Sequence, residues 1–365
     1  MFVWVSHVHA PGNPGKGVSQ LGPKGTKKAA AIDGKSGLTG TQELARFVHP
    51  RLKAKAMRVS SSSTARAGQS GEMLAAHTTF GLGGPCDEWA EAASAQEVGD
   101  VLRDWCARKL PWHVLGGGSN VLAPDEGVRG GVLHLLPGRD LGVEGNGTLV
   151  CSAGESLDRL VQQALEEGRG GSSWAELSGI PGTVGGAICG NAGAFGVQLG
   201  DFVERVEVVF PDGHAEVWPV SKLSYGYRSS ALQRGGMVVT RAWLRGTGRC
   251  DRPAAWARRA EILALRQQKH PALGPGRPGT AGSFFKNLPP ETPGGRRRSA
   301  GALLEAVGAK SQRVGGAYVF ERHANILMAG PGTTAADVRA LAARLQALVR
   351  DRFPVELTPE VRFWP

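Results

Sequence analysis

Residues 179–196 read GIPGTVGGAICGNAGAFG, and seven of these eighteen positions are glycine. Each glycine inside a regular element costs roughly 0.5–1 kcal/mol relative to alanine. A chain that carries this cost repeatedly is shaped for close approach: bare backbone amides can lie against a phosphate or a flat ring. A flexible linker is the competing reading. Ile180, Val184, Ile188 and Phe195 are spaced regularly through the segment and are expected to anchor it in a core.

At 365 residues the chain has room for two or three domains. No apolar run approaches the ~18 residues that span a bilayer, so no membrane is expected. The formal charge of +11 is concentrated at one end. Residues 1–72 hold eleven Lys or Arg and three acids, a net of +8, which leaves +3 for residues 73–365. That body has neither the basic stripe nor the aromatic platforms of a nucleic-acid-binding protein, so no nucleic acid partner is expected. Cys86, Cys106, Cys151, Cys189 and Cys250 are scattered without CxxC spacing. This pattern fits reduced thiols in a cytoplasmic protein, with no metal site.

Residues 1–72, rich in Gly, Pro, Lys and Ser, are expected to form a disordered basic extension. An appendage, an organelle-targeting peptide and a start nearer Met73 are three accounts of it. Folded sequence is expected from about Thr78. Ser94-Ala95-Gln96-Glu97 is a capping box, followed by Val98, Val101, Leu102 and Trp105 at helical spacing. Strands at 112–115 and 132–136 complete a β-α-β pattern, so parallel pairing is predicted across 73–147. In 148–248, strand 149–152 leads to a helix at 156–167. Strands 206–210 and 215–220 flank the hairpin signature Pro211-Asp212-Gly213, and 238–244 adds another. This second subdomain should hold a mostly antiparallel sheet. Region 249–365 carries a helix at 254–269 and a Gly/Pro loop at 274–282. Its last helix is opened by Thr334 and Asp337, with Val338, Leu341, Leu345 and Leu348 on one face. The fold class is α+β.

A second glycine cluster, Gly116-Gly117-Gly118-Ser119-Asn120, directly follows a predicted strand. Successive glycine amides can converge on an anion; a plain turn is the alternative. It is not a Rossmann fingerprint, since no helix opens from it. Two such loops in one region suggest a long ligand held at a diphosphate and at a ring system, which FAD fits better than a mononucleotide.

Eight motifs in order then carry a resemblance: Thr78-Thr79-Phe80-Gly81-Leu82-Gly83-Gly84, LGGGSNVL at 115–122, SGIPGTVGG at 178–186, Asn191-Ala192-Gly193-Ala194, Gly226-Tyr227-Arg228-Ser229, Gly282-Ser283-Phe284-Phe285-Lys286-Asn287, His323-Ala324-Asn325 and Pro359-Glu360-Val361-Arg362. Together they resemble the UDP-N-acetylenolpyruvoylglucosamine reductases, from about Thr78 to Phe363. The resemblance implies an FAD-binding domain of the vanillyl-alcohol-oxidase (PCMH) type over 73–248, in two subdomains. It implies an α+β substrate domain over 249–365. It also implies NADPH as reductant, and hydride transfer from reduced flavin to an enol ether followed by protonation of the resulting carbanion.

Site residues follow from the same resemblance. Arg228, Ser283 and Glu360 match the catalytic arginine, proton donor and glutamate. Gly116, Gly117, Gly118, Ser119, Asn120, Ser178, Gly179, Ile180, Pro181, Gly182, Thr183, Gly185, Gly186, Asn191, Ala192 and Gly193 match the cofactor contacts. Tyr227, Lys269 and Asn287 match substrate contacts. Read as residues alone, Arg228 is also open to a surface salt bridge, Ser283 to a helix N-cap and Glu360 to an ion pair with Arg362; His323 reads as structural. An ionised carboxylate would repel a developing enolate, so Glu360 is expected to be protonated or strongly hydrogen-bonded when it acts. Only 55 residues separate Arg228 from Ser283, which leaves no room for the tyrosine-bearing insertion of one subclass. The chain resembles the shorter subclass, read as a monomer with a UDP-sugar substrate. A sugar or alcohol oxidase on the same FAD scaffold is the alternative enzyme.

Overall fold

The computed structural model describes residues 66–169, 171–246 and 250–365, all within one unit, Ala56–Pro365. Strand Cys86–Ala92 runs parallel to Val128–Leu135, which runs parallel to Trp112–Leu115. Helix Ala95–Ala107 makes the crossover, and the parallel pairing expected from the β-α-β pattern is present. Strand Val128–Leu135 starts earlier than the apolar run suggests. Gly130 and Gly131 hide its beginning: a Cβ on Gly131 would lie 2.7 Å from the Trp105 ring. The small residue is there to seat the indole.

One expectation is corrected at the front edge of this sheet. Arg66–Gln69 was counted with the disordered extension, yet it forms a strand antiparallel to Cys86–Ala92, with Ala67 opposite Ala90. Edge pairing uses backbone groups, so it needs no apolar run and escapes a composition argument. Gly71 and Glu72, also counted with the extension, continue the pairing through backbone bonds to Cys86, and residues 1–65 lie outside the described residues.

Helix caps are largely as read. Ser94 Oγ accepts from Glu97 N, but the Glu97 carboxylate reaches past Ser94 to Ala93 N at 2.7 Å. Thr334 and Asp337 form a complete capping box on Ala335–Arg352, whose buried face includes Val338, Leu341 and Leu345. The second sheet is antiparallel throughout, in the order Ala215–Pro219, Val203–Val209, Val238–Leu244, Leu149–Ser152, Gly142–Val143. One apolar core joins both sheets through helices Ala95–Ala107 and Leu157–Glu166.

A separate core unites Phe284, Phe285 and Leu288 with helix Ala335–Arg352 and the small sheet Arg313–Val314, Ala317–Val319, Leu327–Ala329. The chain's end then returns to the first subdomain. Arg362–Phe363 pairs parallel with Val121–Leu122, immediately after the Gly116–Asn120 loop. Trp364, only 7% exposed, closes the third core against Leu74, Leu115 and Val132. Its ring stacks on His113 at 4.9 Å. The short C-terminus therefore covers a core. Among the described residues no helix is long and apolar enough to cross a membrane.

Candidate active site

The two glycine-rich loops lie against each other. Ser119 Oγ donates to the Pro181 carbonyl at 3.1 Å. A Cβ on Gly117 would lie 3.0 Å from Gly182 Cα, so both positions need bare backbone. Gly118 is the tightest of the set. At φ +60°, its Cβ would fall 1.9 Å from the His77 carbonyl oxygen. Among the described residues, the N–H groups of Gly117, Gly118 and Ser119 find no acceptor within the protein. These are unspent donors on one tight turn, the chemistry of an anion cradle.

Beyond Gly182, Thr183 caps helix Val184–Gly190, and Asn191 ends it at φ +46°. A Cβ on Gly185 would lie 2.8 Å from Ala153 Cβ, whereas nothing lies within 4 Å of a Cβ on Gly190, and only Thr183 Oγ1, at 3.5 Å, approaches one on Gly186. Alanine would be the better helix former at both open positions. Bare backbone facing open space fits a flat ligand ring approaching closely. Val184 and Ile188 are buried as expected and Ile180 is half-buried. Phe195 corrects the expectation of an anchor: it is 51% exposed. It sits between hairpin strands Gly193–Ala194 and Val197–Gln198 at φ +52°, which turns its ring away from the core.

Helix Arg252–Lys269 backs this loop. Asp158 accepts two guanidinium bonds from Arg259, at 2.6 and 2.7 Å, and one from Gly179 N at 2.7 Å. Burial pushes the Asp158 carboxyl up, but these donors outweigh it and hold the group below its ordinary range. Arg266 Nε donates to the Ser178 carbonyl at 2.7 Å, and its Nη2 is buried without a partner. Burial, only partly opposed by Asp158, depresses that guanidinium's proton affinity. Arg266 escaped the sequence reading because one arginine in a polar helix carries no local signal. Asn191 is wholly engaged inside the protein: its Nδ2 donates to Gln198 Oε1 and the Gly226 carbonyl, and its Oδ1 accepts from Gly200 N. Ala192 and Gly193 are half-buried beside it.

Those bonds hold the turn that presents Arg228. Gly226 and Ser229 exchange backbone bonds, and Gln233 Nε2 donates to the Arg228 carbonyl at 3.2 Å. Arg228 sits at φ +51°, a left-handed conformation that costs a non-glycine residue about 1 kcal/mol or more. Its Nη2 donates to the Gly193 carbonyl at 2.8 Å. Its Nε lies 2.7 Å from Glu360 Oε1, off the N–H axis, so the contact is an ion pair rather than a linear hydrogen bond. Glu360 therefore pairs with Arg228, and not with Arg362, the alternative open in the sequence.

Glu360 is placed by backbone on two sides. Its N–H donates to the Phe284 carbonyl at 2.7 Å, and its own carbonyl accepts from Asn120 Nδ2 at 3.1 Å. Asn120, assigned to cofactor by resemblance, thus ties the anion cradle to the acid. Burial raises the Glu360 carboxyl above its ordinary value, with Arg228 and then Lys286 pulling the other way. Ser283 lies one residue before Phe284, in an extended segment bridged to Ile326. It is not a helix cap, and among the described residues its hydroxyl makes no hydrogen bond. Asn325 fixes the segment, accepting from Phe285 N and donating to the Phe285 carbonyl, both at 2.9 Å. Asn287 and Tyr227 also meet, Asn287 N donating to the Tyr227 hydroxyl at 3.3 Å. Lys269 is exposed, close enough to His270 and His323 to lower the proton affinity of both, and among the described residues its ammonium makes no hydrogen bond or ion pair. His323 Nδ1 accepts from Asn325 N at 3.2 Å, a structural role.

A cradle of free amides tied through Asn120 to a strained arginine and a half-buried acid fits a flavoprotein oxidoreductase, and a family model described as "FAD binding domain" matches residues 88–217. A second, "UDP-N-acetylenolpyruvoylglucosamine reductase, C-terminal domain", matches 274–364. The reductase of that name from Moorella thermoacetica is 40% identical over 294 residues, covering 80% of this chain and 92% of that one. That from Gloeobacter violaceus is 37% identical over 297 residues, covering 81% and 95%. The crystal structure of the Thermus caldophilus reductase superposes with a TM-score of 0.67 at 33% identity, covering 83% of this chain and all of that one. The chain belongs to the UDP-N-acetylenolpyruvoylglucosamine reductase family.

Proposed function

We propose that this enzyme reduces the enol ether of UDP-N-acetylenolpyruvoylglucosamine to UDP-N-acetylmuramate, with NADPH as electron source, in the supply of a peptidoglycan precursor. The observation that carries the reading is the Arg228–Glu360 pair, 2.7 Å apart and backbone-linked to both the Ser283 segment and the Gly116–Asn120 loop. Residues 132 positions apart in the chain meet in one ion pair.

FAD, when bound, supplies a reversible store for the hydride. The amides of Gly117, Gly118 and Ser119 would hold its phosphates, and the open backbone at Gly186 and Gly190 leaves room for its ring. The rest of the work falls to side chains. Reduction adds a hydride to the terminal methylene carbon of the substrate and a proton to its neighbour. Between the two additions, negative charge spreads into the substrate carboxylate. Arg228 is permanently charged and held in place by the Gly193 and Asn191 carbonyls, so its remaining donors can take that carboxylate from a fixed position. Burial raises the Glu360 carboxyl above its ordinary value, which widens the pH range over which it is uncharged and so lessens its repulsion of the developing anion. The Ser283 hydroxyl, free of any internal acceptor, is available to deliver the proton, with Glu360 on the adjacent extended segment as its support.

A nucleotide-linked substrate and free thiols at all five cysteines fit work in the cytoplasm. The test is direct. Purified yellow protein should oxidise NADPH, followed at 340 nm, only when UDP-N-acetylenolpyruvoylglucosamine is added. Oxidation at one rate with or without the sugar nucleotide would overturn the reading.

A further inference from the structure

Arg297 belongs to a run of three arginines, Arg296-Arg297-Arg298, on the exposed stretch before helix Ala300–Ala306. Its guanidinium carbon lies 3.7 Å from the centroid of the Tyr227 ring. Its Nε and Nη2 donate to the Asn287 carbonyl at 3.2 and 2.8 Å. Arg298, by contrast, pairs with Glu291. Among the described residues Arg297 has no carboxylate within ion-pair reach, and its Nη1 donates to nothing.

The remaining valences around it are all of one kind. Tyr227 accepts from Asn287 N, so its own hydroxyl proton is unspent. Asn287 Oδ1 accepts from Ala300 N, which leaves the Nδ2 donors free. Arg228 adds a second charge 5.4 Å from the same ring. Free donors and two cations, of which only Arg228 is paired with a carboxylate, that of Glu360, make a site for an anion. A guanidinium stacked on an aromatic face and pinned at two nitrogens has lost most of its rotamer freedom before any ligand arrives, which favours tight and geometrically defined binding.

We propose that Arg297 is a positioning residue that clamps the diphosphate of a bound nucleotide, doing in this short chain what no long insertion between Arg228 and Ser283 is present to do. The clamp rests on the proposed function for its choice of nucleotide, but not for its anion. Two ligands carry this chemistry, the UDP-sugar and the pyridine nucleotide, and the experiment separates them.

Holoenzyme and its Arg297→Gln variant are titrated calorimetrically with UDP and with uridine. Glutamine keeps a donor for the Asn287 carbonyl and removes the charge. A charged hydrogen bond lost to phosphate should weaken UDP about ten- to a hundredfold. Uridine should change less than about twofold. An Arg296→Gln control removes the same net charge and should leave both affinities alone. Steady-state KM for the sugar nucleotide and for NADPH then assigns the source, a rise in either one, or in both, with kcat little changed.

Equal losses for UDP and uridine would show a structural role and overturn the proposal, as would no loss for either, or an Arg296→Gln variant matching Arg297→Gln. If glutamine at 297 costs the fold, seen as lost flavin absorbance, Arg297→Lys decides. It keeps the charge and must still prefer UDP to uridine; equal affinities overturn the clamp. Wild-type enzyme lacking sugar-dependent turnover would overturn the proposed function alone, since the UDP comparison stands without turnover.

Discussion

Glu360→Gln separates the acid's chemical role from its structural one. The perturbation is small in shape and large in charge. At 2.7 Å and an effective dielectric of about 20, the Arg228–Glu360 attraction is about 6 kcal/mol before solvent screening. The side chains are 22% and 21% exposed, so the real figure is smaller. Burial nonetheless wins: the carboxyl titrates above its ordinary 4.5, so desolvation costs the ionised form more than Arg228 and Lys286 return. Removing the charge therefore removes a cost as well as a gain. Arg228 keeps its bonds to the Gly193 and Asn191 carbonyls. The expected stability change is well below the about 3–5 kcal/mol for breaking a fully buried pair.

The direction with pH follows. A folded-state value above the unfolded one means folding favours the protonated acid. That contribution is full below about pH 4.5 and fades as pH rises through the raised value. Tm of the variant relative to wild type should accordingly improve as pH rises from about 4 to about 8. Turnover should behave oppositely. Loss of a positioned proton carrier should lower kcat about 10²- to 10⁴-fold, about 3–5 kcal/mol of barrier. The assay is NADPH oxidation at saturating sugar nucleotide, beside flavin content and thermal melts across pH. A variant with near-full kcat, or one whose relative Tm falls as pH rises, would refute the reasoning.

Two further outcomes are expected. Gly118→Ala should cost several kcal/mol and most of the bound flavin, because the new methyl group would meet the His77 carbonyl at 1.9 Å in a left-handed backbone; flavin absorbance per protein measures it, and full occupancy would contradict it. Trp364→Ala should cost about 3–5 kcal/mol and lower kcat as well, since the same terminal segment carries Glu360; a denaturant melt with unchanged midpoint, or lost stability with intact turnover at low temperature, would contradict one half or the other.

Much of the architecture was legible because its causes are local. Ser94, Ser156 and Thr334 cap the helices they precede, and Pro211-Asp212-Gly213 turns the hairpin it predicts. Strand Arg66–Gln69 was missed because its stability comes from a neighbour's backbone. Phe195 misled because regular apolar spacing says nothing of a left-handed φ that swings one side chain outward. Arg266 and Arg297 were invisible for a similar reason. A basic residue on a polar helix or loop reads as solvated until the Ser178 carbonyl or the Tyr227 ring is found beside it.

By itself the sequence determined where backbone must stay bare and where helices and turns begin, since glycine, caps and apolar period act within a few residues. Gly118 is the clearest case, a position where any side chain is excluded. Only the tertiary structure decided that Arg228 faces Glu360 and that the last strand lies beside Val121–Leu122. Those meetings are set by how three cores pack, and packing joins residues that no spacing along the chain relates.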